Sequence, residues 1–121
     1  MGCLFCSPNQ IIAENDLAYA IYDRYPVSPG HLLIITKRHI ESLFDASEIE
    51  RQALNKLIEE CKDLLDAKYY PDGYNIGVNC GSAAGQTIFH VHIHLIPRYR
   101  GDMEDPSGGV RGVIPEKRTY S

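Results

Sequence analysis

Ile88-Phe89-His90-Val91-His92-Ile93-His94-Leu95-Ile96-Pro97 alternates imidazole with aliphatic side chains. In an extended strand, successive side chains point to opposite faces. His90, His92 and His94 then share one face, with neighbours about 6.5–7 Å apart along the strand. Phe89, Val91, Ile93 and Leu95 share the other, which belongs in a core. Each imidazole carries two nitrogens that need partners, so packing alone is a poor reason for three on one face. Three readings fit the ladder. The rings are hydrogen-bonded on an exposed sheet face; or all three hold a metal that activates water; or one ring is left free as a nucleophile.

Working outward, Gly81-Ser82-Ala83-Ala84-Gly85 is a loop of small residues, and Tyr74 to Asn79 reads as a strand. Before it, Pro71-Asp72-Gly73 marks a turn. Ser47 with Glu50 three residues on is a capping-box signature. Leu54, Leu57, Ile58, Cys61, Leu64 and Leu65 then follow the spacing of one helical face, with Glu59, Lys62, Asp63 and Asp66 opposite. This helix should stop by Tyr70, ahead of Pro71. Upstream, Leu17–Tyr22 and His31–Thr36 read as strands joined through Pro26, Pro29 and Gly30 into an antiparallel hairpin. Residues 101–121 are rich in Gly and Pro and should lie across the surface. The expected fold class is α+β: a mostly antiparallel sheet of about five strands, one face covered by a single amphipathic helix. The whole of 1–121 forms one domain, with a core of about 3–100 and a C-terminal extension of about 101–121.

The chain has 121 residues, 44% hydrophobic and 23% charged, with a formal net charge of −4. That length buries a real core without disulfides. The acidic balance argues against an extended nucleic-acid footprint, which needs a basic face, but not against a small phosphorylated ligand. No apolar run approaches the roughly 18 residues of a membrane span, and Met1 to Cys6 does not read as a secretory signal. Met1-Gly2 invites an acylation reading, which Cys6 in place of Ser or Thr weakens. Four cysteines without an export signal suggest a reducing, cytoplasmic setting, with thiols or a metal rather than bridges.

Cys3-Leu4-Phe5-Cys6 has the C-x-x-C spacing that puts two thiolates on one zinc. His39 and His90 would complete a closed Cys₂His₂ site, structural rather than catalytic, leaving His92 and His94 free. The alternative is a pair of reduced, unligated thiols. Cys61 falls on the apolar helix face; Cys80 falls in a loop and has no evident partner.

Gly85-Gln86-Thr87-Ile88-Phe89-His90-Val91-His92-Ile93-His94-Leu95-Ile96-Pro97-Arg98 resembles the signature of the histidine triad (HIT) superfamily, with features at Asn79–Gly81 and Pro29-Gly30-His31 that are also similar. The likeness runs from residue 3 to about 100 and is nearest the bacterial and archaeal hydrolases, close to the fragile histidine triad branch. Gly108–Arg111 and Ile114–Lys117 resemble the microbial group alone. The resemblance implies a nucleotidyl hydrolase or transferase. The middle histidine, here His92, would attack an α-phosphorus to form a covalent nucleotidyl-histidine; His94 would contact the phosphate and help the leaving group; His90 would orient its neighbours and, with Cys3, Cys6 and His39, bind zinc. Asp23 falls where members contact ribose hydroxyls. Asn79, Gly85, Gln86 and Thr87 fall where they contact phosphate and leaving group. The resemblance also implies a homodimer with a sheet continuous across its interface, and a nucleotide substrate, a purine such as adenine.

The chemistry suits these residues. Imidazole, with a pKa near 6.5, is neutral at cytosolic pH, nucleophilic, and forms an intermediate that water cleaves. Charge growing on the phosphoryl oxygens can be met by a second imidazolium, the role expected of His94, and by backbone N–H groups of the 81–85 loop. Gln86 and Thr87 add side-chain donors. Blander roles exist: Asn79 as a strand cap, Gln86 as a surface residue, Asp23 as a turn residue, and Arg98, Arg111, Lys117 and Arg118 as solvated cations. Two other classes stay open: a zinc-stabilised nucleotide-binding module with incidental turnover, and a hydrolase with a catalytic metal.

Overall fold

The computed structural model describes residues 3–8 and 10–120; the acylation reading of Met1-Gly2 lies outside them. Five strands and one long helix follow in the order β1 (Ala13–Glu14), β2 (Ala18–Tyr22), β3 (Leu32–Thr36), α1 (Glu48–Tyr69), β4 (Gly73–Val78) and β5 (His92–Arg98). The sheet runs β1-β2-β3-β5-β4, with every neighbouring pair antiparallel. This is the expected α+β class. The strand that the sequence left unlocated is β1, two residues paired at the sheet edge through Ala13↔Ala20 and Glu14↔Tyr19. No helix among the described residues is long and apolar enough to cross a membrane.

Helix α1 starts as its capping box requires. Ser47 Oγ accepts from the Glu50 N–H at 3.2 Å, and Glu50 returns a carboxylate oxygen to the Ser47 N–H at 2.9 Å. Glu50 is buried and also takes a two-pronged hydrogen bond from Arg38, at 2.8 and 3.0 Å, which holds its carboxyl down to about 2. The helix ends at Tyr70, whose φ of +52° breaks the helical path ahead of Pro71. Its buried stripe is Glu50, Leu54, Leu57, Cys61 and Leu65. Leu54, Leu57, Cys61 and Leu65 pack on Ala18, Ala20, Leu32, Ile34, Ile93 and Leu95 from one sheet face. Full burial of each leucine contributes about 2 kcal/mol.

The other sheet face has a smaller core of Phe5, Tyr19, Leu33 and Ile35. Register places the site here: in the β3–β5 pair His92 lies opposite Ile35, and His94 opposite Leu33.

Two expectations about the ladder need correction. Strand β5 begins at His92, not Ile88. Val91 donates its N–H to the Ile40 carbonyl at 2.8 Å, a partner outside the ladder, so the chain is still bent through residues 88–90. Phe89 accordingly leaves the core face and is 45% exposed, while Val91, Ile93 and Leu95 are buried as expected. The last segment, Gly101 to Tyr120, is mostly exposed, with short 3₁₀ turns at Gly109–Val113 and Pro115–Lys117. Arg98 is held by Asp102 and Asn75, and Arg111 by the carbonyls of Lys117 and Arg118.

Candidate active site and metal centre

The bend before β5 does not scatter the histidines. Successive ring centroids lie 4.9 Å apart for His39–His90, 6.0 Å for His90–Phe5, 5.0 Å for Phe5–His92, 5.3 Å for His92–His94 and 5.2 Å for His94–His31. One end of this row meets the thiols of Cys3 and Cys6. The other meets Asp23.

At the thiol end, His90 Nδ1 lies 3.3 Å from Cys3 Sγ and 3.6 Å from Cys6 Sγ, and His39 Nδ1 lies 3.2 Å from Cys6 Sγ. All four ligand atoms fall within 4.8 Å of one another. A zinc ion about 2.3 Å from sulfur and about 2.05 Å from nitrogen sets a tetrahedral S···N edge near 3.5 Å, which these distances match. The tautomer fits as well. His90 is fully buried, and its Nε2 sits 2.7 Å from the Thr36 carbonyl. Only an N–H suits that contact, so the lone pair is left on Nδ1, facing the thiols. The donor set is closed and suits a structural ion; Cys3, Cys6, His39 and His90 would hold it.

His92 and His94 line an open cavity of about 830 Å³ with Asp23, Asn79, Gly85 and Thr87. Leu4 and Phe5, the residues between the two thiols, form part of its apolar wall with Ile21, Leu33 and Ile88. His92 Nδ1 is 2.9 Å from the His90 carbonyl oxygen. It must donate there, so the free lone pair is on Nε2. Among the expected contacts, Asn79, Gly85, Thr87 and Asp23 line the same cavity as His92. Gln86 is different. It is buried and does not line the cavity: its amide donates to the carbonyls of Glu41 and Ile88 and accepts from the Gly81 N–H. Its visible work is to fix the 81–85 loop, in which Gly81 (φ +94°) and Gly85 (φ +92°) take left-handed conformations.

Asp23 is a turn residue and a site residue at once. Its Oδ1 accepts from the Tyr25 N–H, and its Oδ2 lies 3.4 Å from His31 Nε2 and 3.9 Å from His94 Nδ1. The sequence places His31 at the start of a strand and in the Pro29-Gly30-His31 feature of the resemblance, and gives it no role in the site. It is buried against His94, with Nε2 and Nδ1 2.9 Å apart. Period-two alternation from Ile35 and Leu33 would have placed it on the site face. Burial pushes both rings below the usual imidazole range, the charges on each other and on His92 adding to this for His94. The shift disfavours the charged form of His94, the opposite direction to the imidazolium expected there.

A model of the HIT domain matches residues 6–101. The chain belongs to the HIT family. Curated HIT relatives include an AP-4-A phosphorylase of Mycobacterium tuberculosis, 32% identical over 93 residues, covering 76% of this chain and 48% of that protein. An adenylylsulfatase of Arabidopsis thaliana is 37% identical over 106 residues, covering 83% and 54%. The chain therefore spans only about half the length of these two relatives. Among solved structures, a zinc-bound histidine triad protein from Mycobacterium smegmatis superposes with a TM-score of 0.77 at 32% identity, over 85% of this chain and 79% of that one. The HIT fold agrees with what the sequence motif implied; β5 carries His92 and His94, and His90 stands in the bend just before it.

Proposed function

We propose that this HIT domain is a nucleotidyl hydrolase or transferase acting at the α-phosphate of a nucleotide derivative, with His92 as the nucleophile. The observation that carries this is the His92 Nδ1–H bond to the His90 carbonyl, which directs the ring's lone pair away from the backbone at the edge of a cavity large enough for a nucleotide. The His92 Nε2 lone pair attacks phosphorus and forms an N–P bond. The bond to the leaving group breaks, and that group departs with the electron pair and takes a proton from water. Water then attacks the same phosphorus, the N–P pair returns to His92, and a nucleoside monophosphate is released. Thr87 and the loop amides between Gly81 and Gly85 meet the phosphoryl oxygens; Asp23 and Asn79 orient ribose and phosphate.

The names of the two relatives both speak of adenylyl compounds, so the proposed substrates are adenosine phosphoramidates or diadenosine polyphosphates. A zinc bound by Cys3, Cys6, His39 and His90 supports the fold, the other HIT protein with zinc being the precedent. A homodimer joined at the sheet edge is part of the same reading. Strand β4 is the last of the sheet, and Ile76 on it is 49% exposed.

The test is rapid quenching with a labelled adenosine phosphoramidate, followed by peptide mass analysis. AMP on His92 is expected, with none in His92→Asn. Undiminished turnover by His92→Asn rejects the reading and leaves nucleotide binding as the function.

A further inference from the structure

The rings of His31 and His94 raise a question of proton placement that the backbone answers. The Val27 N–H donates to His31 Nδ1 at 3.1 Å. A neutral imidazole has one unprotonated nitrogen, and this contact takes it. The His31 proton must then be on Nε2, 2.9 Å from His94 Nδ1. That nitrogen can only accept, so the His94 proton is on its Nε2. We propose that His31 is a positioning residue of the active site, which through the chain Val27 N–H, His31, His94 locks His94 as a neutral Nε2–H donor for a phosphoryl oxygen.

The turn is built to make this contact. His31 N–H donates to the Ser28 carbonyl, and Ser28 Oγ donates to the Pro97 carbonyl at 2.6 Å, tying the turn to β5. Tyr99 donates to the Pro29 carbonyl from the same strand end. Gly30 takes a φ of +89° and lies so close to α1 that a Cβ would come within 3.0 Å of the Tyr69 ring. The Val27 side chain is exposed; its backbone N–H is the part that points inward.

Asp23, His31 and His94 also place their ligand atoms within 4.8 Å of one another, a spacing compatible with a metal. The Val27 contact decides between the two uses. A metal on His31 Nε2 would need the lone pair that Val27 has already drawn to Nδ1. The Asp23 carboxylate instead faces the His31 Nε2–H and favours the proton there. Burial of both rings, which disfavours their charged forms, agrees with a chain of neutral donors.

The role of His94 at the phosphate rests on the proposed function; its tautomer does not. Two-bond ¹⁵N–¹H correlations of the histidine rings, in metal-loaded protein at neutral pH without substrate, report which nitrogen of His94 bears the proton. A single Nε2–H tautomer is expected in the native protein. His31→Leu should give a mixed or Nδ1–H tautomer. With an adenosine phosphoramidate as substrate, it should lower kcat about 10- to 100-fold, the range for weakening one donor to a developing oxyanion, with KM nearly unchanged. His31→Gln, which keeps an amide N–H near the Nε2 position, should restore the tautomer and most of kcat. His94 protonated on Nδ1 in the native protein overturns the proposal. So does an unchanged tautomer in His31→Leu, or equal loss of kcat in the two variants. Should His31→Leu fail to fold, a mixed tautomer in folded His31→Gln overturns it equally. Absence of an AMP adduct on His92 would reject the proposed function while leaving the tautomer result intact.

Discussion

The His90 carbonyl oxygen accepts from His92 Nδ1 at 2.9 Å, while the His90 ring turns its own Nδ1 to Cys3 and Cys6. One residue thus serves two neighbours with separate groups, its main chain for the His92 ring and its side chain for the cluster with Cys3, Cys6 and His39. In the proposed reaction the nucleophile is the ring of His92 alone, and no other imidazole in the row has its Nε2 position. His92→Asn should therefore lower kcat by about 10⁴-fold or more, since losses of that order follow removal of a covalent nucleophile, while nucleotide binding persists. Calorimetric titration with AMP beside steady-state kinetics checks both halves; equal loss of binding would point to a structural role.

The metal end predicts a different pattern. Purified protein should carry one zinc per chain by elemental analysis. Cys3→Ser should remove it and lower Tm by about 10 °C or more, given that 1 kcal/mol shifts Tm by several degrees at this size. Leu4 and Phe5 sit between the two thiols and on the cavity wall, so KM should rise more than kcat falls. A metal-free protein with the melting temperature of Cys3→Ser unchanged would reject the site.

Much of this was legible in the sequence because it follows local rules. The capping box at Ser47 and Glu50, the 3–4 spacing of Leu54, Leu57, Cys61 and Leu65, and the alternation from Val91 to Leu95 each depend on near neighbours, and each agrees with the structure. What was hidden depends on distant partners. Strand β1 is two residues long and exists only through its pairing with β2. The late start of β5 comes from the bond between Val91 and Ile40. Neither the burial of Gln86 nor the pairing of His31 with His94 could be read from spacing, because their partners are 45 and 63 residues away.

The burial of His31 and His94 sets a pH dependence. Their folded pKa values are lowered by burial, whereas in the unfolded chain they stand near 6.5. Below about 6.5 the unfolded state binds more protons, so their burial makes stability fall as pH drops, by at most about 1.4 kcal/mol per pH unit for each ring. The contribution is flat above that pH. His31→Gln removes one such proton, so its stability curve between about pH 5 and 7 should be shallower than that of the native protein. Urea denaturation across that window measures the difference, and a steeper curve for His31→Gln would show that His31 is charged in the folded state.

Gln86 ties the 81–85 loop to the chain ahead of α1 and to the bend before β5. Its amide N–H groups reach Glu41 and Ile88 carbonyls at 2.7 and 3.2 Å, and its oxygen takes the Gly81 N–H at 2.8 Å. Gln86→Ala leaves these part-buried groups without this partner, at a cost of about 1–3 kcal/mol. Gln86→Glu preserves shape and the Gly81 bond but faces two carbonyls with an oxygen and no hydrogen, so it should destabilise at least as much at neutral pH. Because the loop is proposed to offer its amides to the phosphate, both variants should also raise KM for an adenosine phosphoramidate. Urea unfolding and steady-state kinetics test the two consequences together. Variants within about 0.5 kcal/mol of the native protein, the usual range for surface changes, would show that Gln86 holds nothing in place.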